Sequence, residues 1–132
     1  MTQSAPDRLT VMVVEPDILV RMVLAEYLRD CGYKVVEGGC ADDVFTVLRS
    51  DVKVHTVFAE VRLLGDSDGF ALAKTTREIY PDVDVILTSS VANAADKAGD
   101  LCAEGILDKP YHPDEVIRRI NILRDRRAPR LS

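Results

Sequence analysis

The sequence has no surplus of basic charge. Its 17 Lys and Arg residues stand against 22 Asp and Glu, a formal net charge of −5 at pH 7. A nucleic-acid-binding domain needs a basic face for phosphate contacts, so that class of partner is not expected. The one basic cluster, Arg124, Arg126, Arg127 and Arg130, falls near the end of the chain, where a solvated and fraying charge run is the ordinary state. Cysteine is scarce as well. Cys31, Cys40 and Cys102 are odd in number and form no C-x-x-C, which indicates neither a disulfide framework nor a zinc site. Each is read as a small apolar filler in a reducing cytosol. No apolar run approaches ~18 residues, and no early segment has the charged, apolar and small-residue order of a signal peptide. A cytoplasmic protein without a membrane span is expected.

Catalytic signatures are also missing. No glycine-rich phosphate loop follows the first apolar run, no Ser or Cys nucleophile elbow is present, and Glu15 and Asp17 flank a proline where a D-x-D motif would stand. No enzyme activity is expected. The run GDSDGF resembles part of a calcium loop, but that register puts Leu64 at the first ligand position and Thr75 where a glutamate is needed. Asp66, Ser67, Asp68 and Gly69 are therefore read as turn and helix-start residues. His55 and His112 lack partners at ligand spacing and are read as non-ligands.

What the chain does contain is a repeated strand–helix unit. At 132 residues and 47% hydrophobic content it fits one domain that buries about two-thirds of its unfolded surface. Leu9–Val14 is a β-branched apolar run of the kind buried on both faces of a sheet. Pro16 ends it at Glu15, and a helix begins at Pro16 or Asp17 in which Val20, Leu24, Tyr27, Leu28 and Cys31 share a face, with Gly32 as its C-terminal glycine. Strands at Tyr33–Glu37, Val54–Glu60, Asp84–Thr88 and Gly105–Asp108 alternate with helices at Asp42–Arg49, Phe70–Tyr80 and around Ala94–Ala103. A last helix opens at Pro113 and buries Val116, Ile120 and Leu123. This alternation predicts an α/β fold with a doubly wound, five-stranded parallel sheet. Residues 1–8 read as a flexible leader, 9–124 as the domain and 125–132 as a basic flexible tail. In such sheets, ligands sit beyond the carboxyl ends of the strands where strand order reverses. Glu15, Glu60, Thr88 and Lys109 each fall at or just past a strand end, and Thr88 fits equally a β-branched strand terminus.

The runs VMVVE (Val11–Glu15), EVRLLGDSDG (Glu60–Gly69), ILTSS (Ile86–Ser90) and DKPYHPDEV (Asp108–Val116), in this order and spacing, resemble the receiver domain of two-component response regulators of the chemotaxis type. The likeness runs from Leu9 to about Leu123. It implies a (βα)5 flavodoxin-like fold with strand order 2-1-3-4-5. In the family, paired acids after the first strand help hold Mg²⁺, and an aspartate ending the third strand takes phosphate from a histidine kinase or phosphorelay partner. A Thr or Ser after the fourth strand and a Lys after the fifth contact the phosphoryl oxygens. By resemblance Glu15 matches the first acid, Thr88 the hydroxyl and Lys109 the lysine, with a cis Lys109–Pro110 bond implied. Ile106 stands where many members carry an aromatic switch residue.

Two positions depart from that pattern. Pro16 replaces the second acid and offers no side-chain oxygen to a metal that demands near-octahedral oxygen geometry. Asp17 is read as a first-turn helix acid whose side chain points elsewhere. Glu60 replaces the phosphoaccepting aspartate and is longer by about 1.5 Å, where a misplacement of ~1 Å costs ~100-fold. Lys109 is its expected charge partner. The sequence thus predicts a single-domain pseudo-receiver that needs no cofactor and acts by protein–protein interaction, with Glu60 either a partial mimic of phosphorylation or a relic. The alternative is a working phosphoacceptor with Mg²⁺ on a non-standard acid. Expected partners are a histidine kinase, a phosphotransfer protein or a downstream regulator. A homodimer through the fourth helix, fifth strand and fifth helix would use Lys97, Ile106, Tyr111 and Arg119. The leading Met and arginine-rich end suggest a free-standing protein.

Overall fold

The computed structural model describes residues 8–63, 68–89, 107–108 and 111–127. The β-branched runs form β1 (Thr10–Val14), β2 (Lys34–Gly38), β3 (Thr56–Glu60), β4 (Asp84–Ser89) and the two-residue β5 (Leu107–Asp108). All pairs are parallel, and the order across the sheet is β2-β1-β3-β4-β5. The boundaries of β1 to β4 lie within two residues of the sequence expectation. The expected helix around Ala94–Ala103, with Cys102 and Lys97, lies outside the described residues, as do the Lys109–Pro110 bond and Ile106.

Alternation along the strands splits the core in two. Met12, Val14, Val57, Ala59 and Leu87 face α2 (Ala41–Leu48) and α3 (Gly69–Ile79), meeting Val44, Leu72 and Ala73. Val11, Val13, Phe58 and Ile86 face α1 (Ile18–Asp30) and the C-terminal helix (Pro113–Arg127), meeting Leu24, Leu28, Val116, Ile120 and Leu123. β1 and β3 are therefore buried along their whole length, which is why both read as continuous apolar runs rather than alternating ones. Each fully buried Leu or Ile contributes on the order of 2 kcal/mol relative to exposure.

The α1 ends follow from named bonds. Asp17 is the N-cap: its backbone is extended, and its Oδ1 accepts from Leu19 N–H at 3.0 Å and Val20 N–H at 3.2 Å. This corrects the expectation that the helix begins at Pro16 or Asp17 and that Asp17 sits inside its first turn. Two amide bonds to one carboxylate oxygen outweigh proline's preference for the first helical position, and they need a non-helical residue 17. At the other end, Gly32 adopts φ 100°, Gly32 N–H donates to Arg29 O and Tyr33 N–H to Leu28 O, a Schellman closure that only glycine makes without strain. The expected inner face of α1 holds for Leu24 and Leu28, and Tyr27 is half-buried, but Val20 and Cys31 are exposed. Leu24, Ala25 and Leu28 fill the space against the sheet. The apolar-filler reading thus fails for Cys31, while Cys40 is half-buried.

Two members of the basic cluster, Arg124 and Arg127, are paired rather than solvated, and Arg130 lies outside the described residues. The C-terminal helix continues through Arg127, past the expected boundary at residue 124, and two of its arginines clamp the start of β4. Arg124 Nη2 and Arg127 Nε lie 2.7 and 2.6 Å from the two carboxylate oxygens of Asp84, whose side chain is 6% exposed. Arg124 also donates to the carbonyls of His55 and Asp82, and Arg127 to that of Pro81. A buried carboxylate at the strand start needs this compensation, and a helix one turn longer supplies it.

Asp84→Ala removes the shared acceptor of two guanidiniums and is expected to lower stability by about 2–3 kcal/mol in urea unfolding. His55 gives a pH dependence. Its Nδ1 accepts from Thr10 N–H at 3.0 Å, which needs the unprotonated ring. Burial first, then the Arg124 and Lys53 charges, hold its pKa below 6.5. The unfolded chain therefore takes up the proton first as pH falls, so this contribution is present above about pH 6.5 and lost below it. The melting temperature is expected to fall between about pH 7 and pH 5, less steeply in His55→Gln.

Candidate functional site

The strand order reverses between β1 and β3, so the crevice of this sheet opens at their carboxyl ends. Val14 pairs with Ala59 and Glu60 with Thr88, so Glu15, Glu60 and Thr88 stand side by side across β1, β3 and β4. Three of the four expected strand-end residues are thus brought to one edge. Lys109 follows Asp108, whose partner is Ser89 on the neighbouring strand, and lies outside the described residues.

Glu15 and Glu60 are buried, at 6% and 7% exposure. Glu15 Oε2 accepts from Asp17 N–H at 3.1 Å, so the acid after β1 is turned toward the start of α1. Glu60 Oε1 takes a long 3.5 Å contact from Arg62 N–H. The backbone around Glu60 is fixed on both sides: Val61 N–H donates to Thr88 O at 2.9 Å and Gly69 N–H to Val61 O at 2.7 Å. Gly69 is required by that approach, since a Cβ there would lie 2.7 Å from Glu60 O and 2.8 Å from Val61 Cα. Asp68 caps α3 by accepting from Ala71 N–H at 2.9 Å, in line with the helix-start reading. Thr88 is 1% exposed and its hydroxyl has no hydrogen-bond partner among the described residues.

Arg21 is the residue that motif reading missed. Its Nη1 donates to the carbonyl of Glu15 at 3.0 Å and contacts that of Gly38 at 3.3 Å, while its Nε lies 3.5 Å from Glu37. The signal was its position six residues after Glu15, in the first turns of α1, because helical side chains lean back toward the N-terminus. It places a fixed cation at the carboxyl ends of β1 and β2.

Mg²⁺, expected only under the alternative of a working phosphoacceptor, would draw on these donors. Pro16 has no side-chain oxygen, Asp17 Oδ1 is committed to two amides, one Glu15 oxygen to a third, and a guanidinium sits on the Glu15 carbonyl. Among the described residues, no group of three or more His, Cys, Asp and Glu side chains is placed to hold a metal ion. Pro16 thus brings no side-chain oxygen to this edge, where a metal such as Mg²⁺ takes oxygen ligands only. His55 and His112 have structural partners instead, the latter accepting from Asp114 N–H at 3.1 Å at the start of the C-terminal helix.

A doubly wound parallel sheet with acids ending its first and third strands is the architecture of a receiver. The sequence matches the response regulator receiver domain over residues 11–121, and the chain belongs to that family. Among curated proteins it is 31% identical over 121 residues to the transcriptional regulatory protein AruR of Pseudomonas aeruginosa, and 27% over 111 residues to the uncharacterized transcriptional regulatory protein YbdJ of Bacillus subtilis. These alignments take in 86% and 83% of this chain but 49% and 48% of the relatives, so the chain spans about half the length of the curated relatives it matches. The fold is similar to that of a response regulator receiver protein from Sinorhizobium medicae, with a TM-score of 0.81 at 20% identity over 93% of this chain and 99% of the other. Among the described residues, no helix is long and apolar enough to cross a membrane.

Thr88 yields a direct test of the pocket. Its buried, unbonded hydroxyl costs free energy that an isosteric methyl avoids, so Thr88→Val is expected to raise stability by about 1 kcal/mol, read by chemical denaturation.

Proposed function

We propose that this domain is a pseudo-receiver: a two-component receiver fold that does not accept phosphate at Glu60, needs no Mg²⁺, catalyses no reaction and signals by protein–protein docking. The observation that carries it is the state of the strand-end acids. Glu60 stands on a backbone held rigidly by Thr88, Val61 and Gly69, so the fold cannot retreat to absorb the extra methylene. Glu15 and Asp17 already serve local amides, and Arg21 occupies the carbonyl beside them. Phosphoryl transfer depends almost wholly on positioning and charge neutralisation, both of which these substitutions weaken. As a stand-in for a phosphoryl group, Glu60 supplies about one charge and two oxygens rather than nearly two and three, so any mimicry is partial.

Docking is supported by α1. Its outward side carries Ile18, Leu19, Met22 and Val23, with Leu19 73% and Val23 67% exposed. These residues lie at helical spacing, forming an apolar strip beside the site, and such strips on a folded surface mark interaction faces. A helical face of a kinase, phosphotransfer protein or downstream regulator fits it. Of the expected dimer face, Tyr111 is turned inward, edge-on to Phe58 with ring centroids 5.7 Å apart, and Lys97 and Ile106 lie outside the described residues. A cytoplasmic setting without nucleic-acid contact by this domain accords with the acidic composition.

Acetyl phosphate or a small phosphoramidate with Mg²⁺, followed by intact mass measurement, tests the proposal. No phosphoryl adduct is expected on the natural sequence or on Glu60→Asp alone, whereas Pro16→Asp combined with Glu60→Asp is expected to restore labelling. An adduct mapped to Glu60 in the natural sequence would overturn it in favour of a working receiver.

A further inference from the structure

A cleft of about 630 Å³ opens at the end of the sheet opposite Glu60, between the loops that precede β3 and β4 and the last turns of the C-terminal helix. Its volume falls within the range of small-molecule sites. The walls are apolar, from Leu48, Val54, Tyr80 and Val83, and two further apolar side chains remain exposed at its edge, Val52 at 47% and Ile79 at 61%. The charged lining is Lys53, Arg124, Arg127 and Asp82, with Asp84 behind the two arginines.

The charge there is not balanced. Two guanidiniums share the single carboxylate of Asp84, and they also donate to the neutral carbonyls of His55, Asp82 and Pro81. Lys53 is exposed and makes no hydrogen bond or ion pair among the described residues. Even with the exposed Asp82 carboxylate counted, the cleft is net positive in a chain of charge −5. A positive site with apolar walls favours a ligand that is negative at one end and apolar at the other.

We propose that this cleft binds a small organic anion with an apolar body, the head group held by Lys53 and the outer edges of Arg124 and Arg127, and the body covering Val52 and Ile79. The Asp84 clamp makes the site rigid before binding, so the arginines lose little side-chain freedom when the ligand arrives. The site is independent of whether Glu60 accepts phosphate, since it lies at the amino ends of the same strands.

Backbone amide NMR with octanoate, acetate and 1-octanol as probes tests this. Octanoate is expected to shift residues 52–55, 79–83 and 124–127 saturably, with acetate and octanol each weaker by at least about tenfold. Lys53→Gln, at an exposed position that leaves the fold intact, is expected to weaken octanoate about fivefold. Binding should also raise the His55 pKa, because the anion offsets the Arg124 and Lys53 charges that act on it beside Asp84. Absence of saturable shifts at millimolar octanoate overturns the site. Equal binding of octanol overturns the anion preference, and unchanged affinity in Lys53→Gln overturns the placement of the head group.

Discussion

Burial of β1 and β3 on both faces is the constraint from which the rest of the domain follows. Neither strand has a solvent side, so every residue from Thr10 to Val14 and from Thr56 to Glu60 is buried, and polar chemistry is pushed to the strand ends. The parallel register then decides which ends meet. With Val14 beside Ala59 and Glu60 beside Thr88, two carboxylates and a hydroxyl reach one edge without any loop having to place them.

Much of this was legible in the sequence, for a physical reason. Continuous β-branched runs, helix-period apolar positions and stop signals such as Gly32 are local, and local signals fixed the element order and the strand-end positions of Glu15, Glu60 and Thr88. The misses came where long-range contacts overrode a local rule. Asp17 reads as a first-turn acid, and only the amide bonds from Leu19 and Val20 show it to be the cap. Arg124 and Arg127 look like a solvated tail until Asp84, far away in sequence, is seen to need them. α1 holds more apolar residues than one face can bury, and periodicity could not say that Ile18, Leu19, Met22 and Val23 would be left outside.

Among the described residues, the two ends of the sheet carry different charged groups. At the carboxyl end, Glu15 and Glu60 gather negative charge into a crevice with Arg21 behind it. At the amino end, Arg124, Arg127 and Lys53 gather positive charge around a cleft. Charged groups at each end respond to ionic strength within about a Debye length of their own site.

The Asp84 clamp has a mechanical consequence. A helix end held only by its own hydrogen bonds frays, but here two arginines of the last turns are fastened to the first residue of β4 and to three backbone carbonyls. The last described turns of the C-terminal helix are therefore tied directly to the first residue of β4, so a shift of that strand along its own axis is passed to the helix through bonds rather than through loose packing.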